Sequence, residues 1–599
     1  MTSYVAPKRD MQFLLKELIG LKFINGLPGY SDLSEDLVDA ILEEAGRFAT
    51  GVLDPLNYPG DREGALFANK VVRSPKGFKE AYQQFCDSGW PSLANDEVWG
   101  GQGLPKILAA QTSEMWNAAC MSFCLCPMLS AGVVHAVSRH GTDDQKATYL
   151  PNLVSGKWTG TMQLTEPQAG SDLSAISTRA VPENDYFKIT GNKIYITWGE
   201  HDMVENIVHL VLARTPDAPE GVKGISLFIV PKFLVNKDGS LGERNDVSCV
   251  SIERKLGIHA SPTCVMSYGD QQGAVGFLVG EENRGLQYMF TMMNFARLEV
   301  GIEGMALSDR AYQRALSYSK ERVQGRNIDN PRAGERVTII SHPDVRRMLM
   351  TMKAQTEAMR ALCVLTCAHL DHALLDPDPE KKAYHQAMFD LLTPVVKGWC
   401  TEQSIEVTSL GVQIHGGMGF IEETGAAQYF RDARITPIYE GTTGIQANDL
   451  IGRKIAFEGG RTIDLLITEM DSTLRSYKEF AGNQSLDVIA SEFSQALQSL
   501  KNSVRWLVDK FPENKKEVFA GSVPFLKLMG IVAGGWQMAK SAIVAHQALA
   551  DGSGDREFYL AKVGTTRFYC EHMLPMSHGL EKEITSGAAS TLLLKDSQF

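Results

Sequence analysis

The run Asn206-Ile207-Val208-His209-Leu210-Val211-Leu212-Ala213 combines aliphatic and β-branched residues over eight positions, which predicts a buried β-strand. Similar short runs occur nearby, at residues 189–197, 224–231 and 264–268, and Gly, Asn, Asp and Pro separate them. No helical crossover of the length that a parallel βαβ unit requires lies between these runs. We therefore predict a central β-domain over residues 158–283, built as an antiparallel barrel or sandwich rather than as a Rossmann sheet.

Helical periodicity flanks this β-domain on both sides. Apolar residues recur at three and four spacing upstream and predict an N-terminal helical domain over residues 1–157. Downstream, residues 284–460 contain enough helical segments for a four-helix bundle, at 286–318, 342–372, 382–410 and 443–457. Amphipathic segments at 465–480 and 490–511 predict an additional helical domain over residues 461–599. The predicted fold is therefore mainly α-helical with a central antiparallel β-domain.

The composition is typical of a soluble globular protein. The 599 residues are 44% hydrophobic and 22% charged, and this length suggests three or four domains. The formal net charge of −12 argues against nonspecific nucleic-acid binding. Residues 1–10 lack the pattern of a secretory signal, and ten cysteines without such a signal fit a reducing compartment, so we expect a cytoplasmic protein.

Neither a membrane segment nor a metal site is expected. The longest apolar run, residues 528–539, is shorter than the roughly 18 to 20 residues of a membrane helix, and it predicts a buried helix with close packing at its glycines. Cys363, Cys367, His369 and His372 have a spacing that superficially resembles a metal site. Because residues 361–370 read as one amphipathic helix, we expect no metal there.

The segment Pro437-Ile438-Tyr439-Glu440-Gly441-Thr442-Thr443-Gly444-Ile445-Gln446 places one carboxylate on a glycine-flanked turn just before a predicted helix. Thr443 and Gln446 have the spacing of a capping box, and the apolar positions up to Phe457 can continue the helix. By itself such a turn is most often a helix entry with a solvated glutamate. Glu440 is nevertheless a candidate catalytic base.

Further motifs occur upstream in a fixed order. They are Leu164-Thr165-Glu166-Pro167 with Gly170-Ser171-Asp172, then Lys193-Ile194-Tyr195-Ile196-Thr197, then an arginine-bearing helix, then Gln413-Ile414-His415-Gly416-Gly417-Met418-Gly419-Phe420, and finally Tyr439-Glu440-Gly441-Thr442. In this order, across residues 95–455, the motifs resemble those of the acyl-CoA dehydrogenase family. The opening Tyr4-Val5-Ala6-Pro7, the length and the C-terminal region resemble the large bacterial branch, which includes long-chain acyl-CoA dehydrogenases and 3-methylmercaptopropionyl-CoA dehydrogenases.

The resemblance implies a helical domain, a β-domain and a helical bundle, and it implies an activity. Members of the family oxidise the Cα–Cβ bond of an acyl-CoA to a trans-2-enoyl-CoA, with FAD as the hydride acceptor and a carboxylate as the base. The implied base is Glu440, the implied electron acceptor is an electron-transferring flavoprotein, and the implied assembly is a homo-oligomer, with a dimer favoured. The main interpretation is fatty acid β-oxidation. The alternatives are a 3-methylmercaptopropionyl-CoA dehydrogenase, an acyl-CoA oxidase and a DNA-associated alkylation-response flavoprotein.

The resemblance also implies contacts for individual residues. Those implied for FAD are Leu164, Thr165, Ser171, Tyr195, Thr197, Arg322, Gln324, Gln413, Gly416, Gly417 and Thr442. Those implied for the substrate are Ser171, Arg297, Tyr439 and Gly441.

Several positions depart from the family pattern. Tyr195 stands where tryptophan is common, Gly325 where phenylalanine is usual and Gly444 where glutamine is usual, which puts some FAD contacts in doubt. Some relatives place the base just before the arginine of the predicted helix, but here that position is Ala296, and Glu299 and Glu303 are expected to pair with basic side chains.

The helix that lines the acyl pocket in relatives carries Cys124 and Met128 where shorter-chain relatives have large polar residues. This predicts a pocket for medium or long chains. Pro127 is expected to break or kink that helix.

Overall fold

A computed structural model describes residues 3–329, 332, 334–552 and 554–599. The chain forms two compact units, each assembled from separate stretches of sequence. Residues 47–105 and 119–299 form the β-containing unit, and residues 1–46, 106–118 and 300–599 form the helical unit.

The helices cover most of the chain. They are α1 (Lys8–Gln12), α2 (Leu21–Ile24), α3 (Glu35–Phe48), α4 (Asp54–Glu63), α5 (Phe78–Asp87), α6 (Lys106–His140), α7 (Asp143–Val154), α8 (Gly285–Glu321), α9 (Pro343–Leu375), α10 (Pro379–His415), α11 (Ala426–Ala433), α12 (Thr443–Asp449), α13 (Arg461–Ser476), α14 (Gln484–Lys510), α15 (Lys515–Ala520), α16 (Ser522–Ala550), α17 (Arg556–His572), α18 (Met576–Lys582) and α19 (Ala588–Thr591).

The strands are short. They are β1 (Leu66–Ala68), β2 (Val71–Arg73), β3 (Trp158–Gln163), β4 (Arg179–Glu183), β5 (Tyr186–Thr197), β6 (Asn206–Ala213), β7 (Ser226–Pro231), β8 (Phe233–Val235), β9 (Leu241–Arg244), β10 (Val247–Ile252), β11 (Thr263–Tyr268), β12 (Ala274–Leu278), β13 (Val323–Arg326) and β14 (Arg336–Thr338).

The β-containing unit is organised around an eight-stranded sheet. Its strand order is β10-β11-β5-β12-β7-β6-β3, and β4 pairs with β5. Every residue of β6 and of β7 is buried, which explains why these strands are continuous apolar runs rather than alternating patterns. The prediction of a mainly helical fold with a central β-domain is confirmed.

One strand pair differs from the predicted antiparallel arrangement. β3 and β6 pair in parallel, with Trp158 opposite Asn206 and Gln163 opposite Val211, whereas the other described pairs are antiparallel. Between them the chain forms the β4–β5 hairpin. The crossover that a parallel pair requires is therefore made by a hairpin instead of a helix, so the lack of a helical crossover in the sequence does not exclude a parallel pair.

In the helical unit, α9 and α10 lie along each other and contact α16. The C-terminal helix α16 is tightly packed at its glycines: a Cβ on Gly530 would lie 2.1 Å from the Trp399 ring, and one on Gly535 would lie 2.6 Å from Leu574. The prediction of a buried helix with close packing at residues 528–539 is confirmed. The C-terminal region thus shares its core with the helical bundle.

Three described helices, α6, α9 and α16, are long and apolar enough to cross a membrane by length and composition alone. The expectation that no stretch approaches this length was therefore wrong. Between 78% and 89% of each apolar window is buried inside the protein, which accounts for the hydrophobicity. Burial on every side also explains why residues 361–370 of α9 are not amphipathic.

Helix α6 contains a break, but not where the sequence predicts it. Cys120 has non-helical dihedrals (φ −157°, ψ 84°), while Pro127 lies inside the regular helix. The ten cysteines are free thiols, and nine of them are buried.

Candidate active site

The carboxylate singled out by the sequence lies on a strained turn in the helical unit. Glu440 has φ +55° and Gly441 has φ +90°, so two consecutive residues adopt the left-handed conformation. This conformation costs a residue with a Cβ about 1–3 kcal/mol. Glu440 is half-buried, and helix α12 begins three residues later. Such an outlier commonly marks a functional position.

Hydrogen bonds from two buried side chains hold this turn. Gln446 Nε2 donates to the carbonyl oxygens of Glu440 and Gly441, at 3.1 and 3.3 Å. Lys397 Nζ, on α10, donates to the Gly441 carbonyl at 2.7 Å. Sequence reasoning missed Lys397, since its contact joins positions 44 residues apart and no local pattern marks it.

The predicted capping box is wrong by one residue. The N-cap of α12 is Thr442, whose hydroxyl accepts from the Ile445 amide at 3.3 Å, and Gln446 turns back to the Glu440 turn instead of capping. Thr443 donates its hydroxyl proton to Glu402. The α-helix ends at Asp449, and a π-helical segment (Leu450–Ile455) follows it, so the α-helix does not continue to Phe457.

Tyr439 is anchored next to the candidate base. Its hydroxyl donates a hydrogen bond to the buried carboxylate of Glu303. Burial, reinforced by the neighbouring Glu303 carboxylate, raises the pKa of Tyr439 well above its usual value. Tyr439 therefore stays protonated and can keep donating to Glu303.

In the β-containing unit, Leu164 and Thr165 follow β3 in a loop that is tied to β5. The Ile194 amide donates to the Thr165 carbonyl at 2.9 Å, and Lys193 Nζ donates to the Leu164 carbonyl at 3.1 Å. Tyr195 has φ +60°, and 61% of its surface is exposed; Thr197, at the end of β5, is half-buried. An exposed aromatic face next to a fixed backbone loop fits a flat ring such as a flavin.

Glu166 holds this loop in place. Its buried carboxylate accepts from Lys193 at 2.8 Å and from the amides of Ser177 and Thr178 at 2.7 and 3.1 Å. Burial acts to raise the pKa of Glu166, but the Lys193 ammonium and the hydrogen bonds outweigh it and lower the pKa to about 2. Glu166 is therefore a structural anchor, as its motif suggests.

Two further FAD candidates lie at β13 of the helical unit, Arg322 directly before the strand and Gln324 within it. Both are exposed, and Gly325 of the same strand has φ +80°. A side chain at Gly325 would be strained and would meet the His342 ring at 3.1 Å, which explains why the usual phenylalanine is missing there.

The glycine motif lies at the end of α10. Gln413, Gly416 and Gly417 are exposed, and a Cβ on either glycine would meet nothing within 4 Å. His415 stacks on Tyr318 near the end of α8, with ring centroids 4.4 Å apart. The β13 and glycine-motif candidates therefore lie at one end of the helical unit, where exposed arginine and open glycine backbone fit a phosphate-containing ligand.

The remaining predicted residues differ in exposure. Ser171 and Thr442 are exposed, whereas Arg297 is buried and donates to Asn294 at 3.3 Å. A side chain at Gly444 would have room, since the nearest atom lies 3.9 Å away.

The histidines of α9 and α10 form a buried cluster with Asp376. His372 Nδ1 lies 2.9 Å from Asp376 and its Nε2 lies 2.8 Å from the Phe23 carbonyl, so oxygen acceptors face both nitrogens. The His372 and His385 rings stack with centroids 4.2 Å apart and an interplanar angle of 24°. One ligand atom each from His372, Asp376 and His385 lies within 4.8 Å of the others, a spacing that could hold a metal ion.

Comparison with known proteins agrees with this fold. The N-terminal, middle and C-terminal domain models of acyl-CoA dehydrogenases match residues 39–157, 161–270 and 283–455, and an acetyl-CoA dehydrogenase C-terminal-like model matches residues 466–595. The fold and site define a flavin-dependent oxidoreductase that acts on the CH–CH bond of acyl-CoA thioesters and uses FAD. The chain belongs to the acyl-CoA dehydrogenase family.

Individual relatives cover nearly the whole chain. The chain is 49% identical to a 3-methylmercaptopropionyl-CoA dehydrogenase of Ruegeria pomeroyi, over 98% of this chain and 99% of that protein. It is 36% identical to a broad-specificity linear acyl-CoA dehydrogenase of Mycobacterium tuberculosis, over 96% of each. A solved acyl-CoA dehydrogenase of Bacillus anthracis, complexed with FAD, is similar in fold, with a TM-score of 0.72 at 21% identity, over 96% of this chain and 91% of that one.

Proposed function

We propose that this enzyme dehydrogenates 3-methylmercaptopropionyl-CoA, a short acyl-CoA with a thioether chain, to the corresponding trans-2-enoyl-CoA. The observation that carries this proposal is the 49% identity to an enzyme of that name across nearly the full length of both chains. This level of identity is well above that to the broad-specificity linear acyl-CoA dehydrogenase, which is 36%.

In this proposal Glu440 removes the proton from Cα of the thioester. Bound FAD would supply the acceptor for the hydride from Cβ. The loop at Leu164 and Thr165 and the exposed face of Tyr195 would hold the flavin ring, and the glycine motif with Arg322 would hold the phosphates of a partner subunit's FAD. Ser171, Arg297, Tyr439 and Gly441 would contact the substrate.

The second candidate is oxidation of medium or long linear acyl-CoA in fatty acid β-oxidation. Cys124 is buried and Met128 half-buried on α6, and neither brings a large polar side chain to the segment that shapes the acyl pocket in relatives. A pocket lined in this way would accept an apolar chain.

Anaerobic bleaching of the bound flavin tests both candidates. Purified protein would be mixed with 3-methylmercaptopropionyl-CoA and with linear acyl-CoAs from C4 to C18, alongside the Glu440→Gln variant. We expect the thioether substrate to give the highest kcat/KM and the variant to abolish bleaching while FAD stays bound. Preference for a linear chain of C8 or longer would favour the second candidate. Bleaching that survives in the variant would exclude Glu440 as the base.

We further propose that electrons pass to an electron-transferring flavoprotein in the cytoplasm and that the enzyme is a homodimer. Rapid reoxidation of the reduced enzyme by that flavoprotein, with slow reoxidation in air, would distinguish it from an oxidase. The mass in solution would test the dimer. Salt-dependent retention on DNA would instead favour the alkylation-response branch, which the net charge of −12 argues against.

A further inference from the structure

The Glu440 turn needs support from outside itself. Glu440 and Gly441 both have positive φ, at +55° and +90°. The left-handed conformation is unfavourable for a residue with a Cβ, such as glutamate. A strained backbone persists when the surrounding structure fixes it. Contacts that fix this turn therefore also fix the position of the Glu440 carboxylate.

Two donors approach the turn from one side. Lys397 Nζ and Gln446 Nε2 share the Gly441 carbonyl, at 2.7 and 3.3 Å, and Gln446 Nε2 also reaches the Glu440 carbonyl at 3.1 Å. In a trans peptide the N–H points away from the C=O. Holding both carbonyls on this side therefore turns the N–H groups of Gly441 and Thr442 to the opposite side.

Burial and hydrogen bonding fix the orientation of both donor side chains. Lys397 and Gln446 are both fully buried. Gln446 Oε1 is buried and has no hydrogen-bond partner in the described part of the chain, so Gln446 holds the turn through its amino group. The opposite amide orientation would place Oε1 next to two carbonyl oxygens, where it could not form a hydrogen bond. The buried ammonium of Lys397 donates to a carbonyl of the strained turn.

Packing brings the two donors together. Helices α10 and α12 contact each other. Gly398 directly follows Lys397 on α10, and a Cβ there would lie at an ordinary contact distance of 3.4 Å from the Gln446 Cβ but only 2.5 Å from Leu526 of α16. The missing side chain lets α16 pack closely against the part of α10 that carries Lys397. The turn is thus fastened to the rigid helix α10 rather than to a loop.

We propose that Lys397 is a positioning residue for the catalytic base and acts together with Gln446 by locking the Glu440–Gly441 turn. This inference rests on the proposed function only for the identity of Glu440 as the base. Lys397 acts through its hydrogen bond to the Gly441 carbonyl of the turn.

The test compares Lys397→Met with Lys397→Arg and with Lys381→Met, a matched control at an exposed lysine of the same helix. Two measurements are made on the FAD-bound proteins: amide hydrogen exchange of the peptide spanning residues 437–446, and the rate of anaerobic flavin bleaching at saturating acyl-CoA. Because a misplaced catalytic group costs up to about 100-fold, we expect Lys397→Met to slow bleaching by about 10- to 100-fold with KM nearly unchanged.

A residue that acts through the base leaves a specific signature. Lys397→Arg, which keeps a charged donor, should recover part of the wild-type rate. The exchange of the 437–446 peptide should rise in Lys397→Met and stay at the wild-type level in Lys381→Met. If Lys397→Met does not fold, Gln446→Leu removes the second donor, and the same two measurements apply to it.

Unchanged exchange of this peptide in Lys397→Met, or a Lys397→Arg rate no higher than that of Lys397→Met, would overturn the positioning role. Failure of the proposed function gives a different result, since wild-type flavin would then not bleach with any thioester. In that case the exchange measurement still decides whether Lys397 holds the turn.

Discussion

Gly441 is the residue that allows the Glu440 turn to close. Its φ of +90° disfavours any side chain, and a Cβ there would lie 2.6 Å from Gln446 Nε2. Gly441→Ala should therefore push Gln446 off both carbonyls and move the carboxylate. We expect the rate of flavin bleaching by acyl-CoA to fall by about tenfold or more, as for other small displacements of a catalytic group.

Gly444 is a matched control three positions along the same segment. It does not have positive φ, and its nearest neighbour would lie 3.9 Å from an added Cβ. Gly444→Ala should therefore bleach at close to the wild-type rate. Equal rates for both alanine variants would show that the left-handed turn is not needed for the reaction.

Among the helices, the packing of α16 makes a prediction about stability. An added Cβ at Gly530 would lie 2.1 Å from the buried Trp399 ring, so Gly530→Ala forces the ring or the helix to shift. Overpacking of this kind costs about 1–3 kcal/mol, which urea denaturation would measure. Gly564 on α17 is exposed with nothing within 4 Å, and Gly564→Ala should stabilise by up to about 1 kcal/mol through helix propensity. A neutral Gly530→Ala would show that α16 is loosely packed.

The buried histidines near the α9–α10 connection predict how the stability of the protein depends on pH. Burial, with cationic neighbours, lowers the pKa of His369 to about 3 and that of His385 to about 4. His369 and His385 share a hydrogen bond at 2.8 Å, and His372, Asp376, Tyr384, Lys381 and Lys540 are the charged or titratable groups around them. Between pH 6.5 and about 4 the unfolded chain binds more protons at these histidines than the folded chain.

Stability should therefore fall as the pH drops below about 6.5, by up to about 1.4 kcal/mol per pH unit for each histidine. Urea unfolding at several pH values would measure this slope. His385→Gln should reduce the slope, whereas the exposed His572→Gln should leave it unchanged. A slope that persists in His385→Gln would assign the acid sensitivity to other groups.

At the scale of the whole molecule, the sequence predicts what short-range patterns control. The strand at residues 206–213 has the predicted bounds, because eight consecutive buried residues leave a clear apolar run. The parallel β3–β6 pair, the break at Cys120 and the Lys397 contact depend on residues far apart in sequence, so no local pattern marks them. The cap at Thr442 was missed because two adjacent threonines offer alternative capping positions, and Gln446 is engaged elsewhere.

A buried ion network connects distant segments of the helical unit. Arg360 on α9 donates to Asp10, Glu114 and Asp309, at 2.6, 2.7 and 2.9 Å. Lys562, from the C-terminal region, bonds Asp10 as well and donates to Glu357 at 2.9 Å. Burial, partly offset by Arg360, raises the pKa of Glu114 to about 7. The ionised form of Glu114 therefore depends on Arg360.

Arg360→Met should remove the shared partner of three buried carboxylates. Loss of one member of a buried ion pair costs about 3–5 kcal/mol, so we expect a large fall in the urea midpoint. The fall should be smaller near pH 5 than near pH 8, since carboxylates that can take up protons no longer need the guanidinium. Arg567→Met breaks an exposed pair with Glu571 and should cost less than about 1 kcal/mol. Similar losses for the two variants would mean that the network adds no more than a surface ion pair, and that apolar packing alone joins the C-terminal helices to the bundle.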